Sequence, residues 1–251
     1  MHSKTYDAMQ AFIPAAGLGT RLLPLTEKCP KALVEVGGVP LLKIAIDRLS
    51  ALGVNRIVLN VHHFADMITE YLSKHTWETE ILVSDESDLL LDTGGGLKKA
   101  EPLFNPTEPI LLHNVDVLSS IDLSSMVDKH CCNGDLVTLA VCNRETSRYL
   151  LFDYQRQLTG WCNKKTGETQ WVDAPSPTFT PLAFSGIGVL EPKALSLMPP
   201  CDRPYSIIPC YLQMAKDHRV GCYVHRPDEW MDVGTPQRLL QAQSWYHSSQ
   251  K

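Results

Sequence analysis

Residues with chemistry crowd the stretch from Gln10 to Leu33, QAFIPAAGLGTRLLPLTEKCPKAL. Ala15, Ala16, Gly17 and Gly19 are small enough to let the backbone approach a ligand, and successive N–H groups in such a loop form a nest for anionic oxygens. Leu18 and Thr20 complete the loop. Arg21, Lys28 and Lys31 then bring fixed positive charge to where phosphates would lie. The pattern is that of a phosphate site. It is not the dinucleotide fingerprint, because the third glycine position counted from Gly17 is Leu22, and no acid stands at a strand end about 20 residues on. Nor is it a P-loop, since no glycine here is followed by lysine.

Three further stretches carry candidate groups. Asp92-Thr93-Gly94-Gly95-Gly96 sets three glycines in a row, a costly way to begin a helix. A bare backbone at that point lets a flat nucleobase lie against main chain while N–H and C=O groups read its edge. Leu111-Leu112-His113-Asn114-Val115-Asp116 is an apolar run ending in an acid, which places a carboxylate where a hard cation could bind. Asp232 lies in Glu229-Trp230-Met231-Asp232-Val233-Gly234-Thr235-Pro236, where Thr235 can cap a closing helix that has Pro236 at its first position. His62 and His63 are adjacent in a strand and point to opposite faces, so they do not share a metal.

The string G-L-G-T-R-L-L-P-L-T, followed by P-K-A-L, closely resembles the signature of the nucleotidyltransferases that make nucleotide-diphospho-sugars from a nucleoside triphosphate and a sugar 1-phosphate. D-T-G-G-G resembles the base-binding segment of that family, in the form seen in its N-acetylmuramate-1-phosphate uridylyltransferase branch. The Asp116 segment is similar to the motif whose aspartate holds magnesium, with Val115 in place of the usual glycine. Phe184-Ser185-Gly186-Ile187-Gly188-Val189-Leu190 matches the segment flanking the sugar phosphate, and W-x-D-V-G-T-P resembles the motif supplying a second carboxylate. The resemblance implies catalytic roles for Arg21 and Lys31 and nucleotide contacts from Ala15 to Thr20, Asp92, Thr93 and Gly94. It also implies sugar contacts at Asn114, Ser185 and Gly186, with Mg²⁺ on Asp116 and Asp232. UTP is the favoured donor. Alternatives are GTP with a mannose- or heptose-type phosphate, and a cytidylyltransferase for phosphocholine, with Tyr149, Phe152 and Trp161 as an aromatic cage for its ammonium. A non-catalytic nucleotide-binding regulator is a further class, against which Arg21, Lys31, Asp116 and Asp232 stand together.

Such a transfer needs little covalent work from a protein, only in-line placement and neutralised charge. A sugar phosphate is already close to doubly charged at neutral pH, its second pKa being about 6, so no general base is required.

The elements that must hold these groups alternate. Ala11–Ala15 reads as a strand, Pro40–Gly53 as a helix, Arg56–Val61 as a strand, Phe64–Lys74 as a helix and Glu80–Ser84 as a strand. A helix is expected from about Gly95 to Phe104, then strands at Pro109–His113 and Leu136–Val141. This rhythm predicts a Rossmann-like, doubly wound, mostly parallel sheet flanked by helices, with Gly17 and Asp116 beyond the carboxyl ends of strands. Residues 149–172 alternate with turn residues and predict a small antiparallel insertion that forms the sugar-binding lobe. Leu182–Leu190 returns as a strand, Tyr205–His218 as a helix and Val220–His225 as a strand. One domain over 1–251 is expected, about 8–134 forming the nucleotide half and 135–251 the sugar half with the closing helix. A second, acyltransferase activity, of the kind that a long carboxyl-terminal repeat extension carries in bifunctional relatives, is not expected.

At 251 residues and 44% hydrophobic, the chain can bury a large core. A net charge of −5 argues against nucleic acid as a partner, so anionic substrates must be met by local charge. No segment has the apolar length of a membrane span, and Met1–Asp7 lacks the apolar centre of a secretion signal. The eight cysteines have no C-x-x-C pair or zinc spacing, which fits reduced thiols and a cytoplasmic location. A monomer or small homo-oligomer is expected.

Overall fold

A computed structural model of the chain describes residues 8–175 and 177–249; Met1–Asp7, read above for a secretion signal, lie outside them. The chain opens with β1 (Gln10–Pro14), which leads into the glycine loop and then a small hairpin of β2 (Glu35–Val36) and β3 (Val39–Pro40). Helix α1 (Leu41–Ala51), β4 (Arg56–Val61), α2 (Ala65–Ser73) and β5 (Glu80–Asp85) follow. Next come α3 (Asp92–Lys99), β6 (Ile110–His113), β7 (Val117–Ser119) and α4 (Leu123–Asn133).

In the second half, β8 (Val137–Cys142) precedes an antiparallel set of β9 (Arg148–Phe152), β10 (Leu158–Asn163) and β11 (Glu168–Trp171). The long β12 (Thr180–Leu190), short α5 (Lys193–Ser196), α6 (Ile207–Met214), β13 (Val220–Val224), β14 (Trp230–Asp232) and α7 (Pro236–Ser249) complete it.

Ten strands form one sheet. Its path runs β11-β10-β9-β12-β6-β1-β4-β5, with β8 branching off beside β12 and β13 pairing with β8. The nucleotide half, β6-β1-β4-β5, is wholly parallel, the expected doubly wound arrangement. β12 runs antiparallel to β6, β8 and β9 alike, so the antiparallel lobe is continuous with the main sheet through this one strand.

Both faces of the parallel part are buried, which is why its strands read as unbroken apolar runs. The two-residue period divides them between two cores: Phe12, Val58 and Leu112 pack on one face, and Ala11, Ile13, Ile57, Leu59 and Leu111 on the other. A third, smaller cluster joins Leu22, Val36, Leu41, Leu118, Val233 and Leu239. It clamps the glycine loop, the hairpin and α7 together.

Two helices depart from the sequence expectation. α3 starts at Asp92, before the glycines, and ends at Lys99. α6 starts at Ile207, where the Ser206 hydroxyl accepts from Ile208 N–H at 3.5 Å. Tyr205, expected inside α6, is instead tied to α3: its N–H donates to Leu91 O at 3.1 Å, and its carbonyl accepts from Gly94 and Gly95 at 3.0 and 3.3 Å. The helix start at α3 thus finds backbone acceptors from a distant loop, which offsets the cost of three glycines. The end of the chain behaves as read, with Thr235 Oγ1 accepting from Arg238 N–H at 3.3 Å at the head of α7.

Candidate active site

Beyond the carboxyl ends of β1, β4 and β6 lies a cavity of about 520 Å³, lined on one side by Ala15, Ala16 and Gly17, on another by Leu90, Asp92, Thr93 and Pro204, and on a third by Asn114, Val115 and Asp116. A second hollow of about 360 Å³, lined by Gly17 to Arg21 and Gly234, shares Gly17, Lys31 and Leu90 with the first. Lys31 stands at the partition and forms a short ion pair with Asp116.

The glycine loop does its work residue by residue. Gly17 has nothing within 4 Å of where a Cβ would stand, so its bare face opens to solvent and ligand. Gly19 has φ of 65°, and a Cβ there would meet Thr26 at 2.9 Å and Lys31 at 3.0 Å; it serves the fold of the loop. Ala15 and Ala16 line the cavity, but their N–H groups are already engaged by Asn60 Oδ1, at 2.7 and 3.3 Å. Those two N–H groups are therefore spent within the protein.

Asn60 was not legible as a site residue. Its amide continues to Glu86 Oε1 at 2.6 Å, and Glu86 Oε2 accepts from Leu91 N–H at 3.0 Å. Asn60 and Glu86 are both buried, so this polar chain is shielded from water and holds the phosphate loop against the segment that opens α3. An asparagine inside an apolar strand, at the level of the loop, was the one available signal.

The three glycines of α3 have protein neighbours that fill the space given above to a nucleobase. A Cβ on Gly94 would meet the Tyr205 ring at 2.6 Å, and one on Gly96 would meet Glu86 at 2.5 Å and Asn60 at 2.6 Å. Gly94 is buried and its N–H is spent on Tyr205, so its assignment as a nucleotide contact is corrected to a packing role. Asp92 and Thr93 do face the cavity. Asp92 adopts φ of 59° and accepts from Thr93 N–H at 2.6 Å, a left-handed conformation of the sort held at ligand clamps. Gly94→Ala forces overlap with a ring and a carbonyl together. We expect a loss of about 1–3 kcal/mol, visible as a lowered Tm, with KM for the nucleotide raised because Asp92 and Thr93 move with the turn.

On the acceptor side, Asn114 lines the cavity, and its N–H donates to Gly186 O at 2.9 Å. Gly186, at φ of 71°, leaves room for the Asn114 side chain, which a Cβ would meet at 2.6 Å. Ser185 does not reach the cavity. Its fully buried hydroxyl pairs with His225 Nε2 at 2.7 Å, and its carbonyl accepts from Trp230 Nε1 at 2.7 Å, so its assignment as a sugar contact is corrected to framework. Val115 is buried without a positive φ; a glycine is not needed there.

Asp116 and Asp232 come together through their backbones. β14 pairs with β7, placing Asp232 opposite Val117, and Val233 N–H donates to Asp116 O at 2.8 Å. Asp232 also borders Gly234, where a Cβ would lie 2.8 Å from Asp232 Oδ2 and 3.2 Å from Arg21 Nη2. Gly234 is thus the point at which the second aspartate, Arg21 and the phosphate loop converge. Two partly buried carboxylates, Asp116 just before β7 and Asp232 at the end of β14, are a donor set that fits a hard divalent cation. The Lys31 ammonium on Asp116 already shows a cation there.

The proposed aromatic cage is not present. Phe152 is fully buried, Tyr149 nearly so, and Lys164 Nζ already lies 4.5 Å from the Tyr149 ring centre.

Fold and cavity together define an α/β enzyme that handles nucleotide phosphates. Residues 10–249 match the family described as nucleotidyl transferase. N-acetylmuramate alpha-1-phosphate uridylyltransferase of Caulobacter vibrioides is 34% identical over 237 residues, covering 93% of this chain and 95% of its own. The mannose-1-phosphate guanylyltransferase catalytic subunit beta of Dictyostelium discoideum is 28% identical over 97% of this chain, which spans 66% of that relative. Among solved structures, UDP-glucose pyrophosphorylase complexed with UDP-glucose aligns with a TM-score of 0.78 at 18% identity, covering 96% of this chain and 99% of that one. HddC from Yersinia pseudotuberculosis, complexed with GMP-PN, aligns with 0.74 at 21%, covering 96% and 100%. The chain belongs to the nucleotidyl transferase family.

Proposed function

We propose that the chain transfers a uridylyl group from UTP to N-acetylmuramate 1-phosphate, releasing pyrophosphate. The broader class, nucleotidyl transfer to a sugar 1-phosphate, is that of its family. The finer reading is supported by the uridylyltransferase likeness, which runs over nearly the full length of both chains. The observation that carries the chemistry is the pair of adjoining hollows with Lys31 and Asp116 at their partition. One hollow suits the nucleoside and acceptor and the other the outgoing phosphates.

In this reading an oxygen of the sugar phosphate attacks the α-phosphorus, the bond to the bridging oxygen of the β-phosphate breaks, and pyrophosphate leaves with those electrons. Gly17, Leu18, Gly19 and Thr20 present N–H groups to the departing phosphates, and Arg21 adds charge beside them. Lys31 lies against the oxygens that gain negative charge as the bond forms. Asn114 positions the acceptor. Asp116 and Asp232 would hold Mg²⁺, which when bound supplies further neutralisation of phosphate charge. The free thiol state of all eight cysteines supports a cytoplasmic setting, and among the described residues no helix is long and apolar enough to cross a membrane.

The guanylyltransferase likeness favours a second reading, GTP with a mannose- or heptose-type phosphate. A pyrophosphate-release screen of four nucleoside triphosphates against a panel of sugar 1-phosphates separates the two. UTP with N-acetylmuramate 1-phosphate should give the highest kcat/KM, and EDTA should abolish turnover. Release that persists without any divalent ion would remove the metal from the scheme.

A further inference from the structure

The buried bonds of Asn60 and Glu86 link two walls of the larger cavity. Ala15 and Ala16 line one wall, Leu90, Asp92 and Thr93 another, and Asn60 itself reaches the space between them. Asn60 Oδ1 holds the first wall through two N–H groups, its Nδ2 donates to Glu86 Oε1, and Glu86 Oε2 holds Leu91 N–H beside the second. Both ends of this link are anchored. Asn60 lies in β4, and Glu86 follows directly on β5. The Glu86 N–H donates to Val61 O at 2.8 Å, and its carbonyl accepts from His62 Nδ1–H at 2.7 Å and Leu89 N–H at 3.0 Å.

The link has a fixed polarity. Both Glu86 oxygens accept, which is all that a carboxylate can do, so the Asn60 amide is seated with its carbonyl toward the loop and its NH₂ toward Glu86. Gly96 leaves the room for this joint, since a Cβ there would lie against both side chains. Among the described residues no cation lies within ion-pair distance of Glu86. Stability alone does not call for such a joint, because two apolar groups of the same shape would fill the space at little or no cost. What the polar pair adds is a set distance and direction.

We propose that Asn60 and Glu86 are positioning residues for the nucleotide: together they set the gap between the phosphate loop and the segment that opens α3, so that the two ends of one nucleoside triphosphate are met at once. Both act through the backbone they hold. The proposal rests on the nucleotidyl-transfer reading above and is independent of which base and which sugar the enzyme uses.

A swap across the central bond tests it. Glu86→Gln keeps the size but turns an NH₂ toward one of the two donors, and Asn60→Asp sets two carboxylates against each other. Each single variant should raise KM for the triphosphate about 10-fold, the scale of one hydrogen bond to a charged group. KM for the sugar 1-phosphate should stay as in the wild type, because Asn114 and Gly186 lie off this chain of bonds. Asn60→Asp combined with Glu86→Gln reverses donor and acceptor at the central bond and leaves both outer bonds their partners, so the double variant should recover most of the loss. Glu86→Asp keeps both acceptors on a shorter stem and alters the gap; it should show the same KM split, and serves if a single variant does not fold. UTP with N-acetylmuramate 1-phosphate and, in parallel, GTP with mannose 1-phosphate are the substrate pairs, assayed well below each variant's Tm. Variants with a lowered Tm but both KM values unchanged, equal rises in both, or a double variant no better than the single ones would overturn the proposal alone. A wild type that turns over neither pair would overturn the functional reading and this proposal with it, so the two failures are told apart.

Discussion

Lys31→Ala should lower kcat by about 10²–10³-fold, the usual consequence of removing one preorganised charge at a transition state, while KM for the nucleotide changes far less. The side chain is 13% exposed, pairs with Asp116, and borders both hollows at once. Charge placed there is held in a poorly hydrated position and needs no rearrangement as the reaction proceeds. Arginine is a poor replacement, because a planar fork cannot occupy the point that a compact ammonium fills beside Asp116. Arg21 differs. It faces only the second hollow, so Arg21→Ala should raise KM for the triphosphate as well as lower kcat. Steady-state kinetics with Tm as a folding control check both. Near-normal kinetics in both variants would make the glycine loop a structural turn.

The parts of this site that were legible in the sequence are those whose reason is local. Gly17 borders both hollows with open space beside it, Thr235 and Pro236 cap a helix, and the apolar runs of β1, β4 and β6 are two-faced strands. The parts that were not legible depend on residues far apart in sequence. Gly94 faces Tyr205, Gly96 faces Glu86, and Ala15 is held by Asn60, so each glycine or amide answers a partner that no local pattern announces. Ser185 was read from a motif, yet whether a strand residue faces a cavity or the core depends on register. β12 changes register between Phe184 and Gly188, which turns that hydroxyl inward to His225. The boundary of α6 failed for a related reason: Tyr205 has helical neighbours in sequence but a stronger claim on its backbone from α3.

Asp116→Asn and Asp232→Asn should each remove most of the activity, and the double variant should be scarcely worse than Asp116→Asn alone. The expectation comes from convergence. The two residues lie 116 positions apart in sequence, yet β7 and β14 pair so that Val233 N–H rests on Asp116 O and Asp232 sits opposite Val117. Groups that act through one ion give losses far from additive, because once the ion is gone the second carboxylate has nothing left to hold. Each asparagine keeps the size and one oxygen of the side chain but halves the donor's capacity and removes its charge, so the strands should stay paired and Tm should change little. Asp116→Asn carries a further consequence, since it releases the Lys31 ammonium from its partner. That variant should therefore lose activity more deeply than Asp232→Asn at saturating Mg²⁺, whereas Asp232→Asn should regain part of its activity as the ion concentration is raised. Titration of kcat against Mg²⁺ for wild type, both single variants and the double variant measures this directly. Additive losses would instead mean that the aspartates work independently, with Asp232 serving the approach to α7 and Asp116 alone facing the metal.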